Sequence, residues 1–276
     1  MPDRRSLPPM EAIEFAIEKV FRHFFFGLAL AIAWAVLLIP LMALVWYFAF
    51  RNGMPDVKAL PPAAMAAFGL LAIGLLLAAF SISANWNRRL LLGERPRGLA
   101  WLRLDGVVWR LMLGHVLLIV ALGLYAAAAY SVVTFAAPSA AETLGSAAKP
   151  IAIVIAALLG LSALFTFYRL SSWLAGLAVA DADYTLRTAW RSTAKNRIAY
   201  LSFTFWLLFS LAIAGALGAG AFFAQQSLPQ PWVKPVAFGF IGLLAWLAIF
   251  LVASVAACHY RSFANQSKTE NDTLFD

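Results

Sequence analysis

The sequence predicts an all-α membrane protein: six transmembrane helices forming three parallel two-helix repeats, with interfacial amphipathic helices. Three observations predict it. The 276 residues are 63% hydrophobic and only 12% charged, about half the charged fraction of a soluble domain. The apolar residues gather in runs of about 20 or more, the length that crosses a ~30 Å hydrocarbon core. A basic amphipathic segment leading into an apolar run also recurs three times, at Glu11–Phe26, Leu99–Gly114 and Asp181–Trp206. Each copy carries an arginine at the membrane edge, Arg22, Arg110 and Arg197, spaced 88 and 87 residues apart. A fixed period of this kind marks a structural repeat.

The elements follow in order. Residues 1–9 are polar and proline-rich and are read as disordered, with Pro8 and Pro9 suited to the first turn of a helix. From Glu11 the pattern is helical, with Ile13, Ile17, Val20 and Phe24 on one face and Glu11, Glu14, Glu18 and Arg22 on the other. This segment lies on the membrane surface or continues the first span. Helix 1 is read at Phe24–Phe50, with Pro40 inside it as a kink. Helix 2 runs from Ala63 to Trp86, helix 3 from Leu111 to Ala136, helix 4 from Ile151 to Tyr168, helix 5 from Ile198 to Ala224 and helix 6 from Val236 to Tyr260. The stretch 169–180 extends helix 4 or lies in the interface. A polar tail, 267–276, is read as disordered. The whole chain is one integral membrane domain with units at about 10–97, 98–185 and 186–266.

The returning helix of each unit ends in a related cluster: NWNRRL at Asn85–Leu90, FYRLS at Phe167–Ser171 and HYRSF at His259–Phe263. Small residues at four-residue spacing, Ala152, Ala156 and Gly160 and again Ala212, Ala216 and Gly220, suit close helix packing within the bundle.

Orientation follows from lysine and arginine. Of 21 such residues, 17 fall at the two termini and in the loops after helices 2 and 4. Only Arg51, Lys58, Lys149 and Lys234 fall in the opposite loops. Both termini are therefore expected in the cytoplasm of a cell bounded by a bacterial inner membrane.

The net charge of +8 sits beside the ends of apolar segments, where anionic head groups lie. It does not form the solvated basic domain that nucleic-acid binding needs. The single cysteine, Cys258, excludes an internal disulfide and stands in an apolar run, so packing is its expected role. No Asp, Glu, Lys or Arg lies between the basic edges of any span. A charge at mid-bilayer is costly and is kept for ion or proton work, so its absence argues against a proton-coupled carrier. His115, one turn into helix 3, is expected to satisfy a neighbouring carbonyl. His23 and His259 lack metal-ligand spacing. Asp183 precedes a basic helix and stands four residues from Arg187, which suits capping and dipole compensation. No nucleophile with a base at workable spacing and no glycine-rich phosphate loop occurs, so the reading is non-enzymatic with no cofactor or metal.

The positive signal is the basic rim. Arg187, Arg191 and Lys195 form a stripe at i, i+4 and i+8, and Arg103 and Arg110 lie a heptad apart on the second copy. With Arg22, Arg169 and Arg197 they are the candidate contacts to anionic lipid head groups or to a protein partner at the cytoplasmic face. Two roles are open: an accessory or structural membrane protein acting through this rim, or a carrier or channel for a lipid-like or apolar solute.

The segment AWRSTAKNRIAYLSFTFW, the LLLGERP loop and the three two-helix units resemble a group of bacterial six-helix inner-membrane proteins. Those are related to the membrane domain attached to some glycerophosphodiester phosphodiesterases. Where such proteins read Thr-Arg-Gly-Asn, this chain has Thr193-Ala194-Lys195-Asn196. The resemblance implies the fold. The phosphodiesterase domain is absent from these residues, so its activity does not carry over.

Overall fold

A computed structural model of the chain describes residues 9–50, 60–144, 148–193, 212, 215–220, 223 and 233–272. Among these residues the regular structure is helical throughout. Among the described residues five segments are long and apolar enough to cross a membrane: Phe24–Phe48, Pro62–Leu92, Gly98–Ala128, Ala157–Ala178 and Trp246–Ala264. The chain is an all-helical, multi-pass membrane protein. The expected fifth span, 198–224, falls mostly outside the described residues, although 215–220 are helical.

Helix α1 (Pro9–Arg22) hands over to α2 (Phe24–Val45) at His23. The backbone ladder carries on across it: His23 N–H donates to Lys19 O and Gly27 N–H to His23 O, both at 3.0 Å. So α1 continues the first span. Its buried stripe differs from the expected one. Ala12, Ala16 and Val20 are buried, and Ile17 is exposed. The reason is steric, because alanines let α1 lie close along α7 (Val233–Asp272) where isoleucines would hold it away. Ala16 packs with Tyr168, Val255 and Phe263, and Val20 with Trp86, Phe250 and Ala253, so the two helices are antiparallel.

Helix α2 passes through Pro40 as continuous helix and ends in a π-helical turn, Trp46–Phe50. Helix α3 (Pro62–Leu92) stops at Gly93, whose φ of 70° is the left-handed C-cap glycine adopts without strain. The second amphipathic segment is not one helix. A 3-10 turn covers Gly98–Leu102, and α4 (Gly106–Leu144) starts afresh after Asp105. Asp105 sets the break, because its Oδ1 accepts from Val107 N–H at 3.1 Å and its carbonyl accepts from Val108 N–H at 3.0 Å. The first two copies of the recurring segment thus differ in local structure.

Helix α4 also runs past Ala136 and through Pro138 to Leu144, and α5 (Ala148–Ala178) begins four residues later. The expected loop 137–150 is therefore mostly helix, since alanine-rich sequence favours helix more than its small polar residues oppose it. Helix α5 absorbs the stretch 169–178. Helix α6 (Leu186–Thr193) follows, then α7, which continues through residues 267–272 of the expected tail.

Helices α3, α5 and α7 pack against one another, with α2 laid on α3, α4 on α5, α1 on α7, and α6 against both α5 and α7. At about 1.5 Å per residue, the 40 residues of α7 reach about 60 Å, twice the hydrocarbon core. Buried polar side chains gather towards one end of the trio. The buried polar side chains among the described residues are Ser81, Asn85 and Asn87 on α3, Arg169, Ser171 and Ser172 on α5, Thr193 on α6, and Ser254 and His259 on α7. All lie there. Trp86 Nε1 ties α3 to α7 by donating to Ser254 Oγ at 2.8 Å. Towards the other end the helices expose Ile32, Val36, Leu70, Ile73, Leu117 and Leu124, the surface that lipid covers.

Close approaches occur at glycines other than the expected small-residue rows. A Cβ on Gly74 would stand 2.6 Å from Leu38 Cδ2, and one on Gly114 would stand 2.6 Å from Leu177 Cδ1. Gly160 and Gly220 have open space there, and Ala212 and Ala216 are exposed.

Candidate functional site: the basic end of the bundle

Arg169 is a buried residue and belongs to the packing of the bundle. Its Nε donates to Thr193 Oγ1 at 3.2 Å and its Nη2 to the Trp190 carbonyl at 2.8 Å. Its guanidinium carbon stands 3.7 Å from the centroid of the Trp190 ring and 5.7 Å from that of Phe165. A cation here satisfies the unpaired carbonyl end of α6 and favours its dipole. The expected head-group contact at Arg169 is therefore a helix clamp, sequestered because α6 folds back over it.

The start of α6 is fixed just as locally. Thr185 Oγ1 accepts from Thr188 N–H at 3.2 Å, so Thr185 caps the helix in place of Asp183. No ion pair joins Asp183 to Arg187 among the described residues. Asp181 instead accepts from Tyr260 OH and, at 3.1 Å, from Asp183 N–H. Tyr184 donates to Ser172 Oγ at 3.1 Å, and burial raises its phenol pKa above the ordinary value. These bonds hold α6 so that Arg187 and Arg191 stay exposed, with no carboxylate in ion-pair range among the described residues. Lys195 and Arg197 lie outside the described residues.

Arg22 is exposed at the end of α1, 3.6 Å from Glu18. It shares its surroundings with Lys19, Arg89 and Arg95, all of which act on His23. Burial first, and then these cations, hold the His23 imidazole below its usual pKa. Arg110 is exposed and donates from Nε to Gly106 O at 3.1 Å. Arg103 is on the link ahead of α4, so the expected heptad relation to Arg110 along one helix is broken by Asp105. Its Nε lies 3.5 Å from Asp105 Oδ2.

Arg103 opens onto a feature that reading the sequence missed. Between α3 and α4 the loop encloses a pocket of about 210 Å³ whose lining includes Asn85, Arg88, Arg95, Arg97 and Arg103. Glu94 also lines it and is engaged by Arg88, which donates from Nε at 2.7 Å and from Nη2 at 2.6 Å. That hydrogen bond holds the Glu94 carboxyl below its ordinary pKa. No family model, curated protein or solved structure matches the chain. The site thus stands on its own geometry: a rim of exposed arginines beside one arginine-lined recess. Its signal in the sequence was GERPRG, three charges in the four residues between two glycines.

His115 behaves as the sequence suggests. Its Nδ1 lies 2.8 Å from Leu111 O, which can only accept, so the proton sits on Nδ1. Cys258 is buried and outside any disulfide.

Proposed function

We propose that this chain is a non-enzymatic accessory protein of a bacterial inner membrane that holds anionic lipid head groups, or a partner, along its basic rim. In this reading six spans form three two-helix units, both termini are cytoplasmic, and the chain is related to the membrane domain of the glycerophosphodiester phosphodiesterases. The observation that carries it is Arg187 and Arg191, exposed on a helix that Arg169 and Tyr184 clamp to the bundle. A clamped helix presents its cations at fixed depth, and each is worth about 1 kcal/mol near an anionic leaflet. The three returning helices support the repeat, because their related clusters meet at one end of the bundle.

The test replaces Arg187, Arg191 and Lys195 together by glutamine. The variant loses roughly 3 kcal/mol of surface attraction at most. It inserts normally and retains less phosphatidylglycerol or cardiolipin after detergent extraction. Unchanged retention rejects the reading.

A further inference from the structure

Resting on that reading of the rim, we propose that the α3–α4 loop is a built phosphate site. Its ligand is a phosphate-bearing anion, either the phosphodiester of an anionic lipid head group or free phosphate. The loop joins a candidate span that ends at Leu92 to one that begins at Gly98, which sets it at head-group depth.

The recess is electropositive by composition. Arg88, Arg95, Arg97 and Arg103 line it, against the single carboxylate of Glu94. Glu94 is spent on Arg88, whose fork takes both of its oxygens. Arg88 also reaches the Ala178 carbonyl at 3.4 Å and so belongs to the wall. Arg95 and Arg97 meet no carboxylate in ion-pair range among the described residues.

Arg103 supplies the sharper signal. Its side chain is 15% exposed, and its fully buried Nε has no hydrogen-bond acceptor, only an ion-pair contact at 3.5 Å with Asp105 Oδ2. A buried charged donor without an acceptor is costly, and an anion entering the recess would satisfy it. Three guanidinium groups around one recess suit a tetrahedral phosphate, whose several oxygens accept forked, charge-assisted bonds from different directions.

The walls are held, not merely near one another. Asn85, buried on α3, donates its amide to Ala100 O at 3.0 Å and to Trp101 O at 3.4 Å. That pins the far wall to the span. Gly93 and Gly98, with φ of 70° and 53°, make the two left-handed bends that fold the intervening arginines back. The volume of about 210 Å³ equals about seven waters at liquid density. It suits a phosphate with its first waters.

The experiment uses the full chain in neutral detergent, with two probes titrated calorimetrically: dioctanoyl phosphatidylglycerol and inorganic phosphate. Wild type binds at least one. Tight binding of the lipid alone assigns a head-group site, and equal binding of both assigns a free-phosphate site; either supports the proposal. Arg97→Gln/Arg103→Gln weakens binding by about tenfold or more. Arg95→Gln/Arg97→Gln, which changes only exposed loop side chains, weakens it with an unchanged melting temperature, so the loss is not unfolding. Failure of wild type to bind either probe overturns the proposal, as does wild-type affinity in both pocket variants. If lipid retention still falls in the Arg187, Arg191 and Lys195 variant, the pocket alone has failed and the rim reading stands. If neither set of substitutions changes anything, both have failed.

Discussion

Arg169 and Trp190 meet twice: the guanidinium stacks on the ring at 3.7 Å and donates to the same residue's carbonyl at 2.8 Å. Two residues 21 apart in sequence thereby fix one short helix against a long one.

Arg169→Ala should therefore loosen α6 without dismantling the spans. The loss is about 2–4 kcal/mol, from the stacking and the orphaned α6 carbonyls together. Ala189, on the inner face of α6, is fully buried and reports it. In a Cys258→Ala background, Ala189→Cys is protected from maleimide in the parent and labelled in the Arg169→Ala variant. Arg169→Lys should label to an intermediate extent, because an ammonium keeps the charge and loses the planar fork.

Helix approach gives a second contrast. Gly114→Leu pushes into Leu177 and Leu174 and should cost about 1–3 kcal/mol by overpacking, lowering the melting temperature in detergent. Gly160→Leu, where nothing stands within 4 Å, should leave it unchanged or raise it slightly.

The Arg88–Glu94 pair makes a pH prediction. The bonded carboxyl has a lower pKa in the folded protein than when unfolded. Its contribution is thus fully present above the ordinary carboxylate value and lost as pH falls through the depressed one. The pair is partly exposed, so the gain is under about 1 kcal/mol. Glu94→Gln should melt slightly lower than wild type at neutral pH, and the difference should vanish in acid.

Orientation can be checked with a reporter active only in the cytoplasm. It should work at both termini and within 93–97, and fail at 145–147. Activity at 145–147 would remove the six-span reading.

The spans were legible because long apolar runs have no alternative in lipid but helix. Where they end was not, as at Pro138, where local helix propensity carried α4 a further turn and more. Arg169 read as a rim cation because nothing in FYRLS reveals that Leu186–Thr193 will cover it. The α1 face was misassigned because periodicity weighs isoleucine above alanine, whereas the long partner helix selects the small side. The pocket arginines were visible as charge. Their convergence was not, since it depends on the bends at Gly93 and Gly98 and on the reach of Asn85 to Ala100.

The bond from Trp86 to Ser254 joins residues 168 apart, and α1, made earlier, finds its seat on α7, made later. At about 5–20 residues per second of synthesis, the Trp86 N–H waits on the order of ten seconds or more for its acceptor. During that interval the α7 side of the alanine face of α1 has no wall, and the helices already inserted are held by their contacts with one another. The order of translation thus makes α7 a closing bolt, and a chain cut short before Ser254 would leave α1 without its seat.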